Sequence, residues 1–119
     1  MTTAIFDFEE IAVSKEVSPL PNGRVRMYTI AFDLDTIQLQ HEYPNASWQN
    51  AYGDIEKTLV PLGFSWQQGS VYFGDETMDA VKCVLAAQLL SKTYPWFKNC
   101  VRDIRMLRIE ELNDLAPAL

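Results

Sequence analysis

Asp33-Leu34-Asp35 closes an apolar run, Met27-Tyr28-Thr29-Ile30-Ala31-Phe32. Two carboxylates at i and i+2 on a strand share one face and lie close enough to share a cation. Asp35 has an ordinary use as the N-cap of a following helix. Asp33 has none, and a carboxylate at the end of a buried strand costs energy unless it is paired or used. It is therefore a candidate acid/base group or metal ligand. Asp103 lies in Val101-Arg102-Asp103-Ile104-Arg105-Met106, where a strand puts it on one face with Arg105 and Leu107. The plain reading there is an Arg–Asp pair. The chemical reading has Asp33, Asp103 and Arg105 converging, with the guanidinium fork clamping a phosphate. Four of the ten basic residues, Lys98, Arg102, Arg105 and Arg108, fall within eleven positions around this stretch. A charged edge strand that resists aggregation would look the same. Gln67-Gln68-Gly69-Ser70-Val71-Tyr72 is more polar than a hairpin turn requires. Ser70 can donate to a phosphate oxygen, although such a serine also satisfies a turn. Tyr72 is the aromatic candidate for stacking on a base.

Other chemistries are excluded by what the chain lacks. His41 is the only histidine, so acid/base ribonucleolysis by two histidines of one protomer is out. There is no G-x-x-x-x-G-K-[ST] loop, no nucleophile elbow and no Cys-His pair at a recognisable spacing. An apolar strand ending in D-x-D resembles the opening of haloacid-dehalogenase phosphatases. Those enzymes need a doubly wound core and further acidic motifs that this chain does not provide.

The elements that must position these residues follow from periodicity and turn chemistry. Ser18-Pro19-Leu20-Pro21-Asn22-Gly23 is a turn, because proline sets φ and Asn-Gly tolerates positive φ. Residues 1–26 then form an arm and turn, expected to be an added strand on the sheet or on a partner chain. Tyr28, Ile30, Phe32 and Leu34 alternate with small or polar residues, which predicts a strand. A short helix follows from Asp35 or Thr36 to Tyr43. Trp48, Ala51, Tyr52, Ile55 and Leu59 mark an amphipathic helix capped by Ser47 and ended by Pro61 and Gly63. Phe64–Gln68 and Val71–Gly74 read as a hairpin around Gly69-Ser70. Asp75, Glu76 and Asp79 crowd the start of a helix over Ala80–Lys92, stopped by Pro95. Trp96-Phe97 is a link, and Val101–Ile109 is the last strand. Strand, helix, strand, strand, helix, strand is the order of an α+β, ferredoxin-like βαββαβ sandwich over residues 27–119.

The whole chain has 119 residues, 48% of them hydrophobic and 22% charged, with net charge −6. That is one ordinary globular domain rather than a disordered or fibrous chain. The acidic balance argues against tight nonspecific nucleic-acid binding, so any such contact must be local. No apolar run is long enough to span a membrane, and the start lacks a signal peptide's features, so the expected location is cytoplasmic. Cys83 and Cys100 read as buried free thiols rather than a disulfide or zinc site. One sheet face bears the small residues Thr29 and Ala31, which admits a second chain and predicts a symmetric homodimer.

Met27-Tyr28-Thr29-Ile30-Ala31-Phe32-Asp33-Leu34 resembles the opening of the virulence-associated protein D family, VapD. Ala51-Tyr52-Gly53-Asp54-Ile55, Gly63-Phe64, Gln68-Gly69-Ser70-Val71-Tyr72, Trp96-Phe97 and Val101-Arg102-Asp103-Ile104-Arg105 continue the match in order. The resemblance runs from about Met27 to the tail and omits the arm. It implies a small homodimeric ferredoxin-like protein, related to the small CRISPR adaptation nuclease-like subunit, with endoribonuclease activity. In some members it implies a toxin with a small antitoxin partner. Its site residues map onto Asp33, Ser70 and Asp103 as catalytic groups. Arg102, Arg105 and Arg108 then hold phosphate, with Tyr72 on a base. No cofactor is required by these residues, but metal-free and Mg2+-assisted chemistry stay open, with Asp33 as the metal ligand. The competing expectation is a noncatalytic dimeric module that binds RNA or protein.

Overall fold

The computed structural model describes residues 27–119. The arm and turn expected over residues 1–26 lie outside the described residues. β1 (Met27–Leu34) leads through Asp35 into α1 (Thr36–Glu42). After a bend comes α2 (Asn50–Leu59), then the hairpin β2 (Phe64–Gln68) and β3 (Val71–Gly74). α3 (Ala80–Thr93) and the single turn α4 (Phe97–Cys100) precede β4 (Val101–Ile109). The four strands form one antiparallel sheet in the order β2-β3-β1-β4. This α+β arrangement is the one expected of a ferredoxin-like fold: β1 is central and the last strand lies beside the first.

The alternation on β1 decides which face takes the helices. Ile30, Phe32 and Leu34 are buried against Leu39 of α1, Ala51, Ile55 and Leu59 of α2, and Cys83, Ala86 and Leu90 of α3. Trp96 and Phe97 are core residues too, so the expected link is a buried helical turn. Phe97 meets Phe32 edge-on at 6.4 Å. On the other face, Met27 and Phe73 form a small second cluster with Val71, Ile109 and Leu112. Thr29 is also buried at 1% exposure, so its small side chain is not on free surface as its sequence position had suggested.

Local chemistry sets most boundaries. Asp35 accepts from the Ile37 and Gln38 N–H groups at 3.1 and 3.0 Å and caps α1. Asp79 caps α3 through the Lys82 N–H at 2.8 Å. Its neighbour Asp75 instead closes a turn onto Thr77. Ser47 does not cap α2. The helix begins three residues later, and the Ser47 carbonyl accepts the Asn50 N–H at 3.0 Å within the preceding turn. α2 tightens into a 3-10 turn, Val60–Leu62, and stops at Gly63, whose φ of +108° suits a residue without Cβ. Tyr43 Oη donates to Asp54 Oδ2 at 2.6 Å and Tyr94 Oη donates to the Asp54 carbonyl at 2.9 Å. These bonds tie the ends of α1 and α3 to α2. Both cysteines are free and buried, as expected. Among the described residues no helix is long and apolar enough to cross a membrane.

Candidate active site

The C-terminal end of β1 collects the residues that chemistry would use. Asp33 is paired across the sheet with Asp103 of β4, and Ala31 with Arg105. Directly opposed residues of an antiparallel pair face the same side with Cβ atoms about 4.5–5.5 Å apart. Two carboxylates are thereby set side by side, an arrangement that opposes itself unless cations answer it. Two arginines do. Arg105 Nε donates to Asp103 Oδ1 and Oδ2 at 3.2 and 3.1 Å. Arg102 reaches Asp33 Oδ2 and Asp35 Oδ1, each at 3.9 Å.

Arg102 owes that position to a bulge. The register passes from Asp33↔Asp103 to Leu34↔Val101, which leaves Arg102 as the extra residue on β4. Bulges of this kind turn a side chain off the strand's alternation. Asp33 is 62% exposed, so it is a solvated carboxylate within a cation's reach rather than the buried one its apolar strand had suggested. Its pairing with Arg102 is long, and a phosphate oxygen can compete for the same guanidinium.

Ser70 is brought to this end from the other side. Its carbonyl accepts the Phe32 N–H at 3.1 Å, which anchors the β2–β3 turn beside Asp33. Gly69, with φ of +50°, makes that turn tight. Ser70 borders a cleft of about 550 Å3 between the hairpin and the first turns of α2. Tyr52 of α2 lines the same cleft, and burial first, then the Asp33 carboxylate, raises its phenol above the ordinary value. Tyr52 thus stays protonated at neutral pH. Its spacing marked it as one more core aromatic, and the structure places it on the wall of this cleft.

Two of the expected residues do not join this group. Tyr72 is 2% exposed and its ring stacks on Phe32 at 6.2 Å and 17°. Its faces belong to the core, and only its margin touches the cleft, so stacking on a base is not open to it. Burial and the Glu56 carboxylate both push its phenol strongly up. Arg108 is five residues along β4 from Asp103, roughly 17 Å at strand rise. It faces Tyr28 across the sheet and pairs with Glu110 at 2.9 Å. His41 is exposed on α1. Among the described residues no three His, Cys, Asp or Glu side chains are grouped to hold a metal ion. The carboxylates that one chain offers at this end are Asp33, Asp35 and Asp103, with Asp35 already engaged in capping.

Known proteins are similar to this chain over most of its length. An "Endoribonuclease VapD 2" of Riemerella anatipestifer is 54% identical over 93 residues, which is 78% of this chain and 99% of that protein. The chain belongs to the VapD family. An "Endoribonuclease VapD homolog" of Helicobacter pylori is 55% identical over 93 residues, covering 96% of its length. A VapD of Dichelobacter nodosus, also named an endoribonuclease, is 41% identical over 88 residues and 91% of its length. No family model matches the chain. In this VapD the opposed Asp33 and Asp103 carry Arg102 and Arg105 as ion-pair partners, and Ser70 lies at the neighbouring turn.

Proposed function

We propose that this VapD protein is an endoribonuclease and that Asp33, Asp103 and Ser70 form its catalytic centre. The observation that carries the reading is the cross-strand pair Asp33–Asp103 with Arg102 and Arg105 bound to it, in a chain whose close relatives are named endoribonucleases. Asp33 takes the proton from the attacking oxygen, either the RNA 2′-hydroxyl or a water. That oxygen bonds to phosphorus as the bond to the leaving oxygen breaks. Arg102 and Arg105 hold the nonbridging oxygens, where a bidentate guanidinium fits the charge that builds up. Ser70 donates to one of them. A divalent cation on Asp33, shared with its twin in a dimer, would supply the same charge stabilisation.

The assembly that fits is a symmetric homodimer. Among the described residues β4 is an edge strand paired only with β1, and Met106 and Leu107 on it are 44% and 47% exposed. Such an edge is a ready surface for a second chain. The location that fits an RNA substrate is the cytoplasm. A small antitoxin partner is the regulatory form this reading takes in a toxin–antitoxin pair.

The test is incubation of purified protein with a labelled RNA, with and without a chelator, beside an Asp33→Asn preparation purified identically. Cleavage that tracks the wild-type protein and is lost in the variant supports the reading, and the chelator arm separates the two chemistries. Binding without cleavage in any condition favours a noncatalytic RNA-binding module instead.

A further inference from the structure

The cleft between α2 and the β2–β3 hairpin is larger than a serine and a tyrosine need. One wall is the start of α2, with Tyr52, Gly53 and Glu56, and the other is the hairpin, with Trp66, Gly69 and Ser70. Trp66 is out of character with its hairpin. Phe64, Tyr72 and Phe73 are 3%, 2% and 5% exposed, whereas Trp66 is 44% exposed. Its one polar atom is spent on its own turn, since Nε1–H donates to the Gly69 carbonyl at 2.8 Å. The indole is therefore held in place beside the cleft, with its apolar surface still in water. A rigid, exposed aromatic face is what a base stacks on, and it loses little freedom when it does.

The rest of the cleft agrees. A Cβ at Gly53 or Gly69 would meet nothing within 4 Å, so neither wall is filled at those points. Glu56 adds a carboxylate, an acceptor for the N–H donors on a base edge. The cleft adjoins the reacting end of the sheet, because Ser70 lines it and also anchors Phe32 beside Asp33. Trp66 pairs with Tyr72 on the helix-covered face of the sheet, and Asp103 and Arg105 lie on the other face, so an RNA strand engages both by passing round the sheet end where Ser70 meets Phe32 and Asp33.

We infer that this cleft binds one nucleobase of the RNA, stacked against Trp66, with Glu56 facing its hydrogen-bonding edge. The inference rests on the ribonuclease reading and extends it by naming what positions the scissile bond. Trp66 is a positioning residue, since it touches the base and not the reacting atoms.

The test uses the full chain and a labelled 2′-O-methyl RNA hexamer, which binds but offers no 2′-hydroxyl for attack. A second set of hexamers carries one abasic position each. By fluorescence anisotropy, Trp66→Ala should weaken binding by about 5- to 100-fold, as expected for loss of one stacked base, with Trp66→Phe retaining most of it. One abasic position should weaken wild type similarly and add nothing in Trp66→Ala, the signature of two groups in contact. On cleavable RNA, Trp66→Ala should raise KM with little change in kcat. Wild type that binds and cuts while Trp66→Ala behaves identically overturns the slot and leaves the ribonuclease reading standing. Wild type that neither binds nor cuts RNA overturns both. If Trp66→Ala does not fold, Glu56→Gln on the exposed surface of α2 takes its place. It should redistribute cleavage positions on a mixed-sequence RNA, and an unchanged pattern overturns the slot.

Discussion

Replacing Asp33 by Asn separates chemistry from stability with unusual clarity, because the structure makes the two effects different in size. The amide keeps the shape and removes the negative charge. The pairing lost is the one with Arg102, at 3.9 Å between side chains that are each 62% exposed. Exposed ion pairs contribute between zero and about 1 kcal/mol. The substitution also removes repulsion from Asp103 directly opposite. The net stability change should therefore stay within about 1 kcal/mol, and the melting temperature within about 4–8 °C, for a domain of this size. Loss of a general base costs roughly 10²- to 10⁴-fold in rate. That corresponds to about 2.7–5.4 kcal/mol of transition-state stabilisation, well above anything a surface ion pair could produce. Single-turnover cleavage of a labelled RNA, with thermal melts of the same preparations, reads both quantities. A variant that melts within a few degrees of wild type and cuts at least 10²-fold more slowly fits the mechanism. One that folds and still cuts at the wild-type rate removes Asp33 from it. It would also point to a contaminating nuclease as the source of the activity.

The other predictions address neighbouring parts of the molecule. Arg105→Ala, at a side chain 72% exposed and bonded to Asp103, should leave the fold unchanged. It should weaken RNA binding and flatten the salt dependence of log K by about 0.7, the loss of one phosphate contact to a single strand; an unchanged slope would place Arg105 off the RNA path. Tyr43 is held protonated, its phenol pushed up to about 12 by the hydrogen bond to Asp54 first and by burial second. A raised value favours the fold below the unfolded phenol's value near 10, and that contribution is lost as pH rises from about 10 through about 12. Tyr43→Phe should cost about 1–3 kcal/mol at neutral pH and lose less stability than wild type over that alkaline range, read by denaturant titrations at each pH. Burial, then Asp79, pushes the Cys83 thiol up to about 11, and Cys100 is 0% exposed. A disulfide thiol reagent at pH 8 should therefore modify neither cysteine in the native protein and both after denaturation. Rapid native labelling would contradict the packing under α3.

What the sequence determined by itself are the features that arise from neighbours along the chain. Alternation from Tyr28 to Leu34 specified β1 and its inward face, since side chains on a strand change sides with every residue. Pro61 and Gly63 marked the end of α2, Asp35 the cap of α1 and Gly69 the hairpin, each through chemistry that operates within a few residues. The order of those elements sufficed for the ferredoxin-like topology, because short connections and one sheet leave few ways to assemble them. The motifs carrying the family resemblance were likewise legible as ordered strings.

Tertiary structure decided the rest. That Asp103 stands opposite Asp33 depends on the register of strands some seventy residues apart, and a one-residue slip would put them on opposite faces. The bulge that aims Arg102 at Asp33 has no local signature, because it is the mismatch between two strands that creates it. The helices set over the sheet took the faces of Tyr72 into the core and left Trp66 outside, although both lie on the same hairpin and neither residue type announces which will be covered. Arg108 looked equivalent to Arg102 and Arg105 on charge alone. Strand rise carries it to the far end of the sheet, too distant to hold the same phosphate.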